Sequence, residues 1–150
     1  MKYHTVVKAF SDLSPDELYQ IMRLRIEVFV IEQRCFYQDA DNKDQHCHHL
    51  MLLEDKELVA YARIVPAGLS FEEASIGRVI TSAQVRGTGA GKILMEAAIQ
   101  TCRQLFGNVS IRIGAQTYAK AFYVALGFEA SGSGFMEDGI PHIEMVAKPL

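Results

Sequence analysis

Gln84-Val85-Arg86-Gly87-Thr88-Gly89-Ala90-Gly91 carries glycine at every second position from 87 to 91. It stands between a β-rich run, residues 76–81, and an apolar stripe at helical spacing formed by Leu94, Ala97, Ala98, Cys102 and Leu105. A glycine-rich turn that opens a helix lets backbone N–H groups approach an anion closely and adds the positive end of the helix dipole. The expected ligand group is therefore a phosphate. Two familiar phosphate loops fail position by position. A P-loop ending at Gly91-Lys92 would put Arg86 where its first glycine belongs and Ile93 where its magnesium-binding hydroxyl belongs. A dinucleotide fingerprint starting at Gly87 needs a glycine where Lys92 stands, and it lies late in a chain with no second βαβ half.

Working outward, Gly107 is placed to end the helix behind the loop. A strand over 109–113 follows, then a shorter helix in which Ala119, Phe122, Tyr123 and Leu126 keep helical spacing before Gly127. Two last strands run from Phe128 and over 140–147, with the turn-rich Glu137-Asp138-Gly139 between them. Upstream, the apolar runs 50–53 and 58–65 joined through Asp55-Lys56 predict a hairpin. Ser14-Pro15-Asp16-Glu17 is a helix start: Ser14 can cap the N3 amide, Glu17 can reach back, and Pro15 suits the first turn. Leu18, Ile21, Met22, Val28 and Phe29 carry that helix to about Gln33, with Arg23 and Arg25 off the apolar stripe. Residues 34–48 are polar and acidic and read as a loop or short helix. The order is helix, antiparallel β, βαβα, then β. With no repeat, low-complexity stretch or linker, residues 1–150 read as one α/β domain around a mixed sheet.

The chain has 150 residues, 49% apolar and 22% charged, a globular composition. Such a length buries roughly 70% of the unfolded surface and needs no disulfide or metal. Cys35, Cys47 and Cys102 are odd in number and lack framework spacing, so reduced thiols in a cytoplasm are expected. Residues 1–8 contain no leader-like apolar stretch, and no run of membrane-spanning length occurs. A net charge of −3 with 15 scattered Lys and Arg argues against nucleic acid as a partner. Glu32, Asp39, Asp41 and Asp44, with Glu137-Asp138, form acidic groupings that read either as solvated loops or as contacts for a cationic amine. No metal is expected. The adjacent ligands of His46-Cys47-His48-His49 point to opposite faces of an extended segment, and Asp39-x-Asp41-x-x-Asp44 lacks a calcium loop's glycine and distal glutamate.

Arg86 to Gly91 fits Arg/Gln-x-x-Gly-x-Gly/Ala, and Gln116-x-x-Ala119-x-x-x-Tyr123-x-x-x-Gly127-Phe128 follows it. Together they resemble the GNAT acetyltransferase superfamily, with Gln116 where asparagine is common. The segments 23–35, Tyr37-Gln38-Asp39-x-Asp41, Gly77-Arg78-Val79 and 137–145 look like its ElaA-like subgroup. The resemblance implies a largely antiparallel, mixed sheet flanked by helices, and transfer of an acyl group from acetyl-CoA to a primary amine. It places the pantetheine arm along the backbone of Val79, Ile80 and Thr81. The pyrophosphate falls on the amides of Arg86, Gly87, Thr88, Gly89, Ala90 and Gly91, with Gln116 and Tyr123 alongside. It makes Tyr123 the proton donor to the leaving thiolate, for which a phenol of ordinary pKa near 10 suffices. The general base stays open among His142, Glu144 and Glu32; a histidine's usual pKa suits that task. Arg25, Glu32 and His142 are expected to meet the acceptor, and a homodimer is allowed for. Competing expectations are a non-catalytic acyl-CoA sensor, in which Tyr123 merely packs on its helix, and the chemistry of acyl-homoserine lactone synthases, whose N-terminal layout is similar.

Overall fold

The structure, a computed structural model, describes residues 2–150. Strand β1 (Tyr3–Ala9) opens it and was not expected from the sequence. Helix α1 (Pro15–Arg25) starts on the anticipated capping box, with the Glu17 amide donating to Ser14 Oγ at 3.1 Å and the Ser14 amide to Glu17 Oε1 at 2.8 Å. It reaches the expected length only by changing its winding, because Ile26–Glu32 continues as a π-helix. Strands β2 (His48–Glu54) and β3 (Glu57–Val65) form the predicted hairpin. Asp55 and Lys56 both take positive φ, 50° and 67°, as a type I′ turn requires. Then come β4 (Ser75–Thr81), α2 (Ala90–Phe106), β5 (Ile111–Gln116), α3 (Lys120–Ala125), β6 (Glu129–Glu137) and β7 (Ile140–Ala147). Among the described residues no helix is long and apolar enough to cross a membrane.

The sheet is less continuous than a single mixed sheet. Order β1-β2-β3-β4 forms one antiparallel sheet and β5-β7-β6 another. They meet at a parallel bridge between Ala74 and Ile111, where the Arg112 amide donates to the Ala74 carbonyl at 2.9 Å. Beyond that vertex β4 and β5 diverge. Leu94, Met95, Ala98 and Cys102 of α2 fill one side of the sheets against Leu50, Leu52, Ala62, Ile64, Ile111 and Met145. Ile21, Leu24 and Val28 cover the other face of β2 to β4 at Met51, Tyr61 and Ile80. A sheet covered on both faces explains why 50–53 and 58–65 read as continuous apolar runs.

The acidic loop between Glu32 and β2 is folded inward rather than solvated. Arg25, 0% exposed, donates to Asp39 Oδ2 and Asp44 Oδ1, each at 2.8 Å. Arg63 of β3 joins Asp41 and Asp44 at 2.8–2.9 Å, and Arg78 of β4 joins Asp39 at 2.9 Å and Asp41 at 3.2 Å. Tyr37 adds a 2.6 Å bond to Asp39. Two expectations are corrected by this network. Arg25 is off the apolar stripe yet fully buried, so it supports the loop from within and does not face a substrate. The acids 39, 41 and 44 are already answered by arginines and are not waiting for a cationic ligand.

Burial alone would raise the Asp41 and Asp44 carboxyls. Arg63 beside Asp41, and Arg25 and then Arg63 beside Asp44, outweigh it and hold both below the usual carboxylate range. Groups depressed in the folded state contribute stability above their unfolded pKa of about 3.9 and lose it as pH falls below that. Urea unfolding should therefore show stability dropping through the acid range below about pH 4. Arg25→Ala, which takes one of its two arginine partners from each of the buried carboxylates Asp39 and Asp44, should cost about 3–5 kcal/mol at neutral pH.

Candidate active site

Divergence of β4 from β5 opens a cavity of about 920 Å³. One wall is β4 itself. Its register against β3 slips between the Tyr61/Ile80 and Arg63/Gly77 pairs, so Ala62 is opposed by two residues, Arg78 and Val79. Arg78 takes φ 49°, a left-handed conformation rare outside glycine. Such a bulge leaves its extra residue out of the ladder and re-aims the backbone. With β3 on one side and β5 turned away on the other, the outer edge from Gly77 to Thr81 offers free backbone groups to the cavity.

The glycine loop follows directly. Ser82 Oγ accepts from the Gln84 amide at 3.4 Å, a short turn spans Ala83–Val85, and Gly87 and Gly89 adopt φ 78° and 87°. Gly89 caps α2, whose first turn contains no acidic residue. The first N–H groups of that helix have no intrahelical acceptor, so the local field and the free donors both suit an anion. Side chains in the loop are occupied elsewhere. Ala90 is buried in the core, while Thr88 donates to the Val85 carbonyl and receives the Tyr3 hydroxyl at 3.0 Å. Arg86 pairs with Glu32 and donates to the Thr81 carbonyl at 3.1 Å. A Cβ on Gly91 would meet Phe122 and Thr81 at 3.7–3.8 Å, ordinary contact, so packing does not demand glycine there.

Opposite β4 stand α3, β5 and β7. Tyr123 is half-buried between the ring edges of Phe122 and Phe128, centroids 5.1 and 5.9 Å away. Its hydroxyl bonds to no other described residue, and burial together with Tyr118 pushes its pKa up to about 12. His142 stacks on Phe135 at 5.7 Å. A carbonyl can only accept, so the 2.7 Å contact from His142 Nδ1 to Ile140 O places a proton on Nδ1 and leaves Nε2 as the basic nitrogen of the neutral ring. Nε2 lies 3.5 Å from Glu137 Oε2. Glu144 receives Arg112 at 3.0 Å, and the same guanidinium holds Glu73 at 3.0 Å.

Residues Glu32, Gln33 and Cys35 line the cavity and make three ties to other parts of its wall. Glu32 reaches Arg86, Gln33 and Gln116 exchange amide hydrogen bonds of 3.4 and 3.2 Å, and the Cys35 thiol donates to the Asp138 carbonyl at 3.2 Å. Burial pushes the Cys35 thiol up, with the Asp138 charge adding to it.

Residues 10–149 match the acetyltransferase (GNAT) domain family. The protein ElaA of Escherichia coli is 41% identical over 93% of each chain, and its crystal structure superposes with a TM-score of 0.91 over 97% of this chain and 99% of that one. A UPF0039 protein of Schizosaccharomyces pombe is also 41% identical over 93% of each chain. The crystal structure of an acyl-CoA N-acyltransferase from Pseudomonas aeruginosa, 39% identical, superposes with a TM-score of 0.89 over 95% of this chain and 98% of that one. The chain belongs to the GNAT acetyltransferase family.

Within this GNAT fold, Val79, Ile80, Thr81, Arg86, Gln116, Tyr123, Glu32, His142 and Glu144 all line the one cavity. Gly87, Thr88, Gly89, Ala90 and Gly91, which follow Arg86 in the chain, are not among its lining residues, and neither is Arg25. Gln33, Cys35, Lys43, Arg63 and Phe135 also line it and were missed by sequence reasoning. Only the alternation along the last hairpin could have flagged Phe135; the others depend on tertiary contacts. A side chain at Gly89 would sit in open space but in a left-handed conformation costing about 1–2 kcal/mol. Gly89→Val should weaken coenzyme A binding by more than about tenfold in calorimetric titration, with circular dichroism showing the fold retained.

Proposed function

We propose that the protein transfers an acetyl group from acetyl-CoA to a primary amine. The carrying observation is the pairing, in one cavity, of a strand edge freed by the Arg78 bulge with a protonated phenol at Tyr123, next to a glycine loop shaped for an anion. The loop amides and the N-terminus of α2 hold the pyrophosphate, and the β4 edge takes the pantetheine amides. A backbone N–H at the bulge, around Val79, meets the oxyanion that forms when the amine attacks the thioester carbonyl, an interaction of about 3 kcal/mol in comparable sites.

Tyr123 then supplies the proton that the departing thiolate needs. Its raised pKa keeps the phenol neutral throughout the working range. Of the three candidate bases, Glu32 and Glu144 already answer Arg86 and Arg112. The oriented ring of His142 leaves Nε2 to take the ammonium proton directly or through water, which favours it as the base. Three buried thiols, none in a disulfide, suit a reducing compartment, and we place the protein in the cytoplasm on that basis.

The test is thiol release from acetyl-CoA across polyamines, amino acids, aminoglycosides and peptide N-termini. Coenzyme binding without thiol release from any of them would favour a sensor. Tyr123→Phe should lower turnover by about 10²–10⁴-fold with coenzyme A affinity kept, and unchanged turnover would take Tyr123 out of the mechanism. In the wild type, Tyr123 ionisation should not depress turnover until pH approaches about 12. A fall centred near the ordinary phenol value of about 10 would contradict the burial on which this role depends.

A further inference from the structure

Charge around the cavity does not cancel evenly, and on the acyl-transfer reading above the imbalance describes the acceptor. Arg25, Arg63 and Arg78 are matched by Asp39, Asp41 and Asp44. Lys43 stands outside that balance. Its ammonium donates to the neutral hydroxyl of Ser70 at 3.2 Å and forms no ion pair among the described residues. Arg63 supplies a second unfilled donor. It is 3% exposed and commits Nη1 and Nη2 to Asp41 and Asp44, while its Nε has no acceptor. Buried N–H groups without partners are rare and costly. This side chain lines the cavity opposite Gly77 of β4, where nothing lies within 4 Å of a Cβ position.

The same cavity also carries acidic side chains. Glu144 shares Arg112 with Glu73, two carboxylates to one guanidinium, and Glu137 lies beside His142 Nε2. We propose that the acceptor is a small amino acid, a primary amine with a carboxylate a few bonds away. Lys43, Ser70 and the free edge of Arg63 take its carboxylate, and its amine lies at His142 between Glu144 and Glu137. Arg63 pairs with Gly77, one to two residues before the bulge, so its end of the subsite lies about 3–7 Å along the strand from the acyl-transfer point. That span fits one to a few carbons between the two groups. A polyamine would set its second ammonium against Lys43, and a neutral amine would leave Lys43 and Arg63 Nε unanswered.

Glycine, β-alanine and γ-aminobutyrate, each compared with its primary amide, test the proposal through thiol release from acetyl-CoA. The amides carry the less basic amines, which biases the comparison against the carboxylates. At least one acid should exceed its amide by about tenfold or more in kcat/KM, mainly through KM. Lys43→Arg should keep that preference, Lys43→Met collapse it and Lys43→Glu invert it, with coenzyme A affinity and thermal unfolding confirming that the variants are folded. Calorimetric titration of the same pairs into the coenzyme A complex reads the subsite without turnover. If no thiol is released but binding still separates acids from amides, the transfer reading fails and the carboxylate subsite stands. A wild-type protein that neither turns over nor binds any acid better than its amide overturns the inference, as does a preference that survives in Lys43→Glu.

Discussion

The buried pairing of Arg25, Arg63 and Arg78 with Asp39, Asp41 and Asp44 is the constraint on which the site rests. Ion pairs taken out of water recover their desolvation cost only when geometry is good and hydrogen bonds are satisfied. Here each aspartate meets more than one arginine, and contacts of 2.8–3.2 Å join residues 14 to 39 positions apart. The loop that carries the aspartates has little regular structure of its own beyond the short turn Asp44–His46. Its shape is imposed from outside, by a helix end on one side and two strands on the other.

The same network explains how β4 can hold its bulge. A non-glycine residue at φ 49° is strained and persists only where its surroundings over-determine it. Arg78 is over-determined: its guanidinium contacts the carboxylates of Asp39 and Asp41 and the carbonyl of Asp39, and its side chain lies over the Tyr37 ring at 5.5 Å. Charge pairing in the loop thus fixes backbone geometry in the strand, and the strand presents free N–H groups to the cavity. Lys43, between two of the paired aspartates in the chain, inherits its position from the same source.

Legibility in the sequence followed the range of the interactions. The capping box at Ser14, the turn at Asp55-Lys56, the stripe of α2 as far as Cys102 and the glycine loop depend on residues a few positions apart, and each appeared where expected, whereas Leu105 at the end of that stripe is exposed. Strand β1 did not announce itself. Thr5-Val6-Val7 is β-prone, but His4 and Lys8 flank it, and only pairing with β2 makes it a strand. The π winding after Arg25 left the apolar spacing intact and so gave no signal. Arg25 read as lying off the apolar stripe and meeting the acceptor because its partners lie in a loop whose fold the local pattern does not encode. The split between the sheets was likewise hidden, since strand runs do not state which edges fail to pair.

On the proposed acyl-transfer reading, the donor and acceptor halves of the cavity differ in the same way. The donor half is made of backbone, a strand edge and a helix N-terminus, so glycine placement reveals it. Side chains from separate segments make the acceptor half, and the links that close it are of another kind from the network beneath. Glu32–Arg86 is a half-exposed pair of the sort worth about 0–1 kcal/mol. Gln33–Gln116 is a neutral amide exchange at 3.2–3.4 Å, and Cys35–Asp138 a weak thiol donor to a carbonyl. A ligand can displace such ties at small cost, whereas opening the arginine–aspartate base would strand buried charges. Residues 32–35 therefore form the part of the wall that yields first.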